Sequence, residues 1–283
     1  FRAPGANRVV LVRRQRDRRQ DAHPGVRARL ARRPTTHQFQ RVRGRLALEV
    51  GVIAEQGHVV DQQARGALGR PVQANEVGGR LPDEWKPLTF KKIPKLTTYE
   101  LVKDQAQVVV KAVSDASASG LTKEVRIDPK EFPIVRWRWK VENLLERGDV
   151  RRKEGDDYPA RLYITFAYEP AKVSFGRKLK YQAGRALFGD IPIGALNYIW
   201  DGKSPVGTVV DNAFTDFAKM IVVESGPQRI GTWVEEERNV YEDYRLAFGE
   251  EPPHIGAIAV MTDTDDTGAA AVGWYDDLWL RRE

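Results

Sequence analysis

The chemistry of this chain has to come from carboxylates, arginines and aromatic rings. Its 283 residues include no cysteine, which removes disulfides, thiolate metal sites and cysteine nucleophiles. After residue 80 one histidine occurs, His254, beside Pro253; imidazole metal ligation and a Ser-His-Asp triad therefore lack their parts. No HExxH, CxxC, glycine-rich phosphate loop or GxSxG is present. Three stretches remain. Residues 134–141 read IVRWRWKV, with Val135, Trp137, Trp139 and Val141 alternating against Arg136, Arg138 and Lys140. Guanidinium forks suit carboxylate, sulfate and phosphate groups, so the cationic side is either a solvated outer face or a ligand face. Asp156 and Asp157 stand just before ARLYITFAY. There they cap a turn, pair with the arginines or bind a cation. Finally, Asp263-Thr-Asp265-Asp266-Thr-Gly268 is similar to a calcium loop without the glutamate and spacing of an EF-hand. Asp263 and Asp265 are its candidate calcium ligands, and a hydrogen-bonded turn is the competing reading.

Rings that stack on sugars beside polar groups that fix their orientation suit a saccharide. The leading expectation is a non-catalytic binding domain for a saccharide or another polar envelope polymer. Its candidate ligand residues are Arg136, Arg138, Asp157, Arg161, Tyr163, Asn197, Trp200 and Glu224. The rival is a glycoside hydrolase or lyase pairing Glu224 with Asp157 or Asp276, carboxyls that would stand about 5–5.5 Å apart for retention or about 6.5–9.5 Å for inversion. A third reading is an envelope structural protein without a small ligand. No catalytic residue is assigned, and no cofactor beyond calcium.

The elements that must position these groups are mostly strands. Residues 255–280 carry two apolar runs around a polar loop, which is the pattern of two strands about a turn. In the last run Val272, Trp274, Asp276 and Leu278 face one way and Gly273, Tyr275, Asp277 and Trp279 the other. Bulk on both faces predicts a central strand, and an aspartate on each face predicts a partner for each. Further strands are expected at 88–93, 98–102, 107–113, 122–128, 160–168, 195–200, 208–210 and 219–225, with DASASG at 115–120 as a loop and a short helical turn opening 142–153. Two helices are expected. Residues 174–188 place Phe175, Leu179, Ala183, Ala186 and Leu187 on one face among basic residues, a pattern that suits packing on the domain or an anionic membrane surface. Residues 232–248 place Val234, Tyr241, Tyr244 and Phe248 on a stripe, with Glu235, Glu236 and Glu237 at the favourable end of the helix dipole. About ten strands without βαβ alternation predict a mainly β fold, an antiparallel β-sandwich of jelly-roll type with two packed α-helices.

Charge divides the chain in two. Residues 1–80 hold 17 Arg, no Lys and six acids, a balance of +11, and the remainder balances at −4, giving the net +7. All seven Trp and all nine Tyr follow residue 80. The expectation is an Arg-rich, disordered segment at 1–80, with 45–60 as a short helical piece, ahead of a folded domain at 81–283. GC-rich codon usage suggests that 1–80 is sequence read upstream of, or out of frame with, the true start; an arginine-rich nucleic-acid arm is the alternative. The folded part, mildly acidic, is not expected to bind nucleic acid. No run approaches the roughly 18 apolar residues of a membrane span, and residues 1–20 carry charge where a secretory signal has an apolar core.

Several motifs, in order, carry a resemblance: WRWKVEN at 137–143, GDDYPARLYITF at 155–166, ALNYIW at 195–200, MIVVESG at 220–226, WVEEERNVYEDYRLAFGEEPP at 233–253, MTDTDDTG at 261–268 and YDD at 275–277. Together they resemble bacterial domain-of-unknown-function family 3047 across about residues 81–280. The resemblance implies no activity. Its members usually look exported, which implies a periplasmic or extracellular location. The last strand also resembles the closing strand of galactose-binding-like jelly rolls.

Overall fold

The computed structural model describes residues 51–53, 77–78, 81–172, 175–176, 178–179, 182 and 194–283, all within one compact unit, Val42–Glu283. In chain order the strands are β1 (Gly51–Ile53), β2 (Lys86–Leu88), β3 (Thr98–Asp104), β4 (Gln107–Asp115), β5 (Ala118–Ile127), β6 (Ile134–Val141), β7 (Arg161–Phe166), β8 (Gly194–Asp201), β9 (Val209–Asn212), β10 (Thr215–Ser225) and β11 (Val234–Asn239). Helix α1 (Val240–Phe248), β12 (Ile255–Asp263) and β13 (Ala270–Arg281) complete it. Two sheets form. The smaller runs β11-β6-β13-β4-β3 with β1 added alongside β13, and the larger runs β2-β5-β12-β7-β8-β10-β9. Pairing is mainly antiparallel, but β8–β10 and β1–β13 are parallel, so the all-antiparallel expectation is corrected to a mixed one.

One apolar core lies between the sheets. The smaller sheet contributes Val135, Trp137, Trp139 and Val141, and the larger Leu162, Ile164, Phe166, Leu196, Tyr198 and Trp200. Trp137 meets Trp139 edge-on at 5.3 Å, and Trp139 lies 6.1 Å from Trp200. Burial of each such side chain contributes about 1.5–3 kcal/mol, which makes β6 a main anchor of the fold.

Several expectations are corrected. Strands β12 and β13 do not pair with each other; they sit in different sheets. The polar loop between them crosses the layers, and Tyr275 Oη ties them by donating to the Met261 carbonyl at 2.6 Å. The alternation of β13 slips at a bulge between Asp276 and Trp279, where Asp277 takes φ 48°. One extra residue moves Leu278 into the core and aligns Trp279 with Arg136, inverting the expected faces from that point. DASASG is not a loop: Ala118 begins β5, and Ser114, Ser117, Thr97 and Thr264 join in a buried hydroxyl cluster. Residues 90–93 lie outside any strand, and 142–150 hold no helix.

Residues 232–248 are half strand, half helix. Val234–Asn239 pairs antiparallel with β6, so Glu235 stands beside Arg138 and Glu237 beside Arg136. Glu235 pairs with Arg136 and Glu237 with Arg281, while Glu236 turns to the core, so the acidic triplet owes nothing to a helix dipole. The helix begins where the Asn239 side chain accepts from Glu242 N at 3.0 Å, and ends at Gly249 with φ 70°. It is the one complete α-helix among the described residues. Of the other expected helix, Phe175, Gly176, Lys178, Leu179 and Gln182 have helical backbone, and the remainder of 174–188 lies outside the described residues. Within 45–60, Gly51–Ile53 is a strand rather than helix or disorder, paired parallel to Trp279–Arg281; the rest of that piece, and nearly all of 1–80, lies outside the described residues.

Candidate functional site

The eight expected ligand residues fall in three places. Arg136 and Arg138 lie on the outer side of the smaller sheet, opposite the sealed tryptophans. There each cation of β6 meets a carboxylate from a neighbouring element: Arg136 reaches Glu235 at 2.5 Å, Arg138 bonds Asp276 and stands 3.1 Å from Asp277, and Lys140 donates to Asp104 at 2.7 Å. Half-buried Trp233 and Trp274 flank Lys140 at 5.2 and 4.5 Å. This is a charge-balanced ladder rather than a set of free forks. Trp200 and Glu224 belong elsewhere. Trp200 is buried in the core, its indole donating to the Gly226 carbonyl at 3.3 Å. Glu224 sits in register with Trp200 at the rim between the layers and accepts from Arg229 at 2.8 Å.

Asp157, Arg161, Tyr163 and Asn197 come together on the outer side of the larger sheet. Strict alternation on β7 sends Leu162 and Ile164 inward and Arg161, Tyr163 and Thr165 outward. Register then aligns Ala259, Tyr163, Asn197 and Met220 in one row across four strands. The next row is Ala257, Thr165, Ala195 and Ala218. In these rows Ala259, Asn197, Met220 and Ala195 are buried, whereas Tyr163, Thr165, Ala257 and Ala218 are half-buried.

Arg161 opens β7, two residues before Tyr163, and is only 4 % exposed. It ion-pairs with Asp263, approaches Asp156 Oδ1 at 3.8 Å and donates to the Asp156 carbonyl at 3.3 Å. The Tyr158 and Tyr163 rings lie 4.9 and 5.5 Å from its guanidinium carbon. Asp156, 6 % exposed, accepts from Asn212 Nδ2 at 2.6 Å. Asn197, fully buried, gives its amide to the sulfur of Met220 at 3.3 Å, a weak acceptor. Among the described residues, no hydrogen bond of normal geometry reaches Asp156 Oδ1, Tyr158 Oη, Arg161 Nε or Asn197 Oδ1, although Asp156 and Tyr158 lie close enough to act on each other, as do Asn197 and Tyr163. Four such atoms in one cluster are costly, about 1–3 kcal/mol each when left without a partner. Burial raises the Asp156 carboxyl against the pull of Arg161 and Asn212, and burial likewise raises the Tyr163 phenol.

Asp157 adjoins this cluster and accepts from the backbone amides of Asp266 at 3.3 Å and Thr267 at 2.5 Å. Oxygens of Asp157, Asp265 and Asp266 lie within 4.8 Å of one another, so these are the carboxylates that could share a cation. The expected metal pair is thereby split: Asp265 belongs to the trio, whereas Asp263 is committed to Arg161 and to the Tyr158 amide. Burial, then Asp265 and Asp157, push Asp266 up to about 6. The expected carboxylate pairs do not form. Asp276 faces outward from the smaller sheet, Glu224 lies between the layers and Asp157 sits in the loop ahead of β7; the acid whose charge bears on Glu224's surroundings is Glu236. Asp156, Tyr158 and Asn212 are site residues that strand periodicity could not flag, because loops deliver all but Asn212, and Asn212 ends an edge strand.

Residues 83–279 match the family described as "Protein of unknown function (DUF3047)", and the chain belongs to that family. No curated protein matches it. Among solved structures, the family 11 carbohydrate-binding module of the cellulosomal cellulase Lic26A-Cel5E of Clostridium thermocellum aligns at 8 % identity and TM-score 0.34, over 73 % of this chain and 92 % of the module. Endoglucanase 3 of Trichoderma harzianum, from family GH12, aligns at 9 % identity and TM-score 0.31, over 70 % and 97 %.

Proposed function

We propose that this protein binds a saccharide, or a sugar-rich polar polymer of the cell envelope, on the outer face of the larger sheet of a jelly-roll sandwich. The observation that carries the reading is the set of buried, under-partnered polar atoms on Asp156, Tyr158, Arg161 and Asn197 beside the half-buried ring of Tyr163. Sugar hydroxyls both donate and accept, and so answer a mixed set of this kind. Half-buried Ala257 and Thr165 are small neighbours of Tyr163 on this face. The role is binding rather than catalysis, because Asp263 and Asp157 are spent on Arg161 and on backbone amides. The implied location is periplasmic or extracellular, on the strength of the family resemblance.

Titration calorimetry against soluble fragments of glycan strands, cellulose and envelope polysaccharides tests this. Tyr163→Ala should weaken binding about fivefold, the loss of roughly 1 kcal/mol of ring contact. Absence of heat with every fragment, or binding indifferent to Tyr163, refutes it. A hydrolytic alternative rests on Glu224, ion-paired with Arg229, and Glu236, whose carboxyl burial raises to about 7, an acid suited to proton donation. Release of reducing ends that stops in Glu236→Gln would favour it.

A further inference from the structure

We propose that the saccharide taken by the larger-sheet site carries a protonated amine, as an amino sugar does; this rests on the saccharide reading above. Five carboxylates, Asp156, Asp157, Asp263, Asp265 and Asp266, gather around the Arg161 guanidinium, and Arg147 donates to the Thr267 carbonyl of the same loop at 3.0 Å. Asp263 is neutralised by ion-pairing with Arg161, and Asp157 is held by two backbone amides. Asp156 shares Arg161 with Asp263 at 3.8 Å, and among the described residues Asp265 and Asp266 have no ion pair. Burial and Asp157 raise the Asp265 carboxyl, and Asp156 adds to the strain on both Asp265 and Asp266.

The buried atoms without hydrogen bonds also lean toward acceptors. Asp156 Oδ1 and Asn197 Oδ1 accept, Tyr158 Oη does either, and only Arg161 Nε must donate. A surplus of acceptors with surplus negative charge calls for a donor-rich cation. An ammonium offers three N–H donors and one positive charge, and a sugar ring bearing it continues onto Tyr163. A uronic acid would bring more negative charge to the same place. A calcium ion asks for six to eight oxygens, whereas Asp157 already gives both of its oxygens to backbone amides.

The test is calorimetry of the full chain with three tetramers: β-1,4-linked glucosamine, its N-acetylated form, and galacturonate. Each is run near neutral pH at low salt, with chelator and then with millimolar calcium chloride. The glucosamine tetramer should bind at least about tenfold tighter than the N-acetylated one, a difference of about 1.4 kcal/mol. Asp265→Asn/Asp266→Asn should erase that preference while still binding the N-acetylated tetramer. Equal or weaker binding of the amine form overturns the inference and leaves the saccharide reading standing. Displacement of glucosamine tetramer by calcium also overturns it, since the trio would then be a metal site. Silence from all three tetramers defeats the saccharide reading itself.

Discussion

Glu236→Gln should stabilise the protein above neutrality and remove much of its sensitivity to alkali. Glu236 lies on β11 in register with Trp137, so its side chain turns toward the core. One of its oxygens, Oε1, is buried without a hydrogen bond. Burial, reinforced by the charge of Glu224, pushes its carboxyl from 4.5 up to about 7. In the unfolded chain the same group releases its proton at the ordinary value. Between those two values the folded state therefore holds a proton that the unfolded state has lost. The resulting stability is full below the lower value and is lost as pH rises through the upper. At about 1.4 kcal/mol per pKa unit, the ionised glutamate withdraws about 3 kcal/mol, and its partial contact with solvent trims that to about 2 kcal/mol. Glutamine keeps the shape without the charge. Urea unfolding of both proteins from about pH 5 to about pH 8 measures this: the curves should lie together at the acid end and part by about 2 kcal/mol at the alkaline end. Parallel curves, or a glutamine variant that is weaker throughout, would refute a core-facing, protonated Glu236.

Other substitutions probe the frame. Trp139→Ala removes a buried ring in contact with Trp137 and Trp200 and should cost about 3–5 kcal/mol in denaturant titration. Gly273→Ala would bring a methyl to 2.6 Å from the Pro159 carbonyl and 2.8 Å from Thr262 Oγ1, so thermal unfolding should show a loss of about 1–3 kcal/mol. Arg161→Met leaves Asp263 and Asp156 buried without their cation and should cost about 3–5 kcal/mol; adding Asp263→Leu should return part of that loss.

Legibility followed signal type. Residues 134–141 were readable to the residue because bulk and charge alternate without interruption, and Trp137 cannot share a surface with Arg138 unless the strand breaks. The central place of β13 followed from bulk on both faces. Its second half was not readable, because the bulge at Asp277 leaves no mark in hydropathy. Residues 232–248 misled for a different reason: Val234, Tyr241 and Tyr244 satisfy a helical spacing and a strand-to-helix switch equally, and Asn239, the cap that decides between them, sits inside the run. The small hydroxyls of 114–119 have turn composition but satisfy one another in the interior. At the site, alternation alone put Arg161 and Tyr163 on one side of β7. That Asn197 would join them depends on the β7–β8 register, and that Arg138 would be neutralised depends on Asp276, 138 residues along the chain on the adjacent strand β13. Cross-strand partners of this kind are not contained in local pattern.

The most direct test of the binding face is an NMR titration of labelled protein with the oligosaccharides above, following resonances on both sheets. Shifts should concentrate on Arg161, Tyr163, Asn197 and Met220 and leave Arg136 and Trp274 unmoved. Shifts gathered on Arg136, Trp233 and Trp274 with the larger sheet silent would contradict the account.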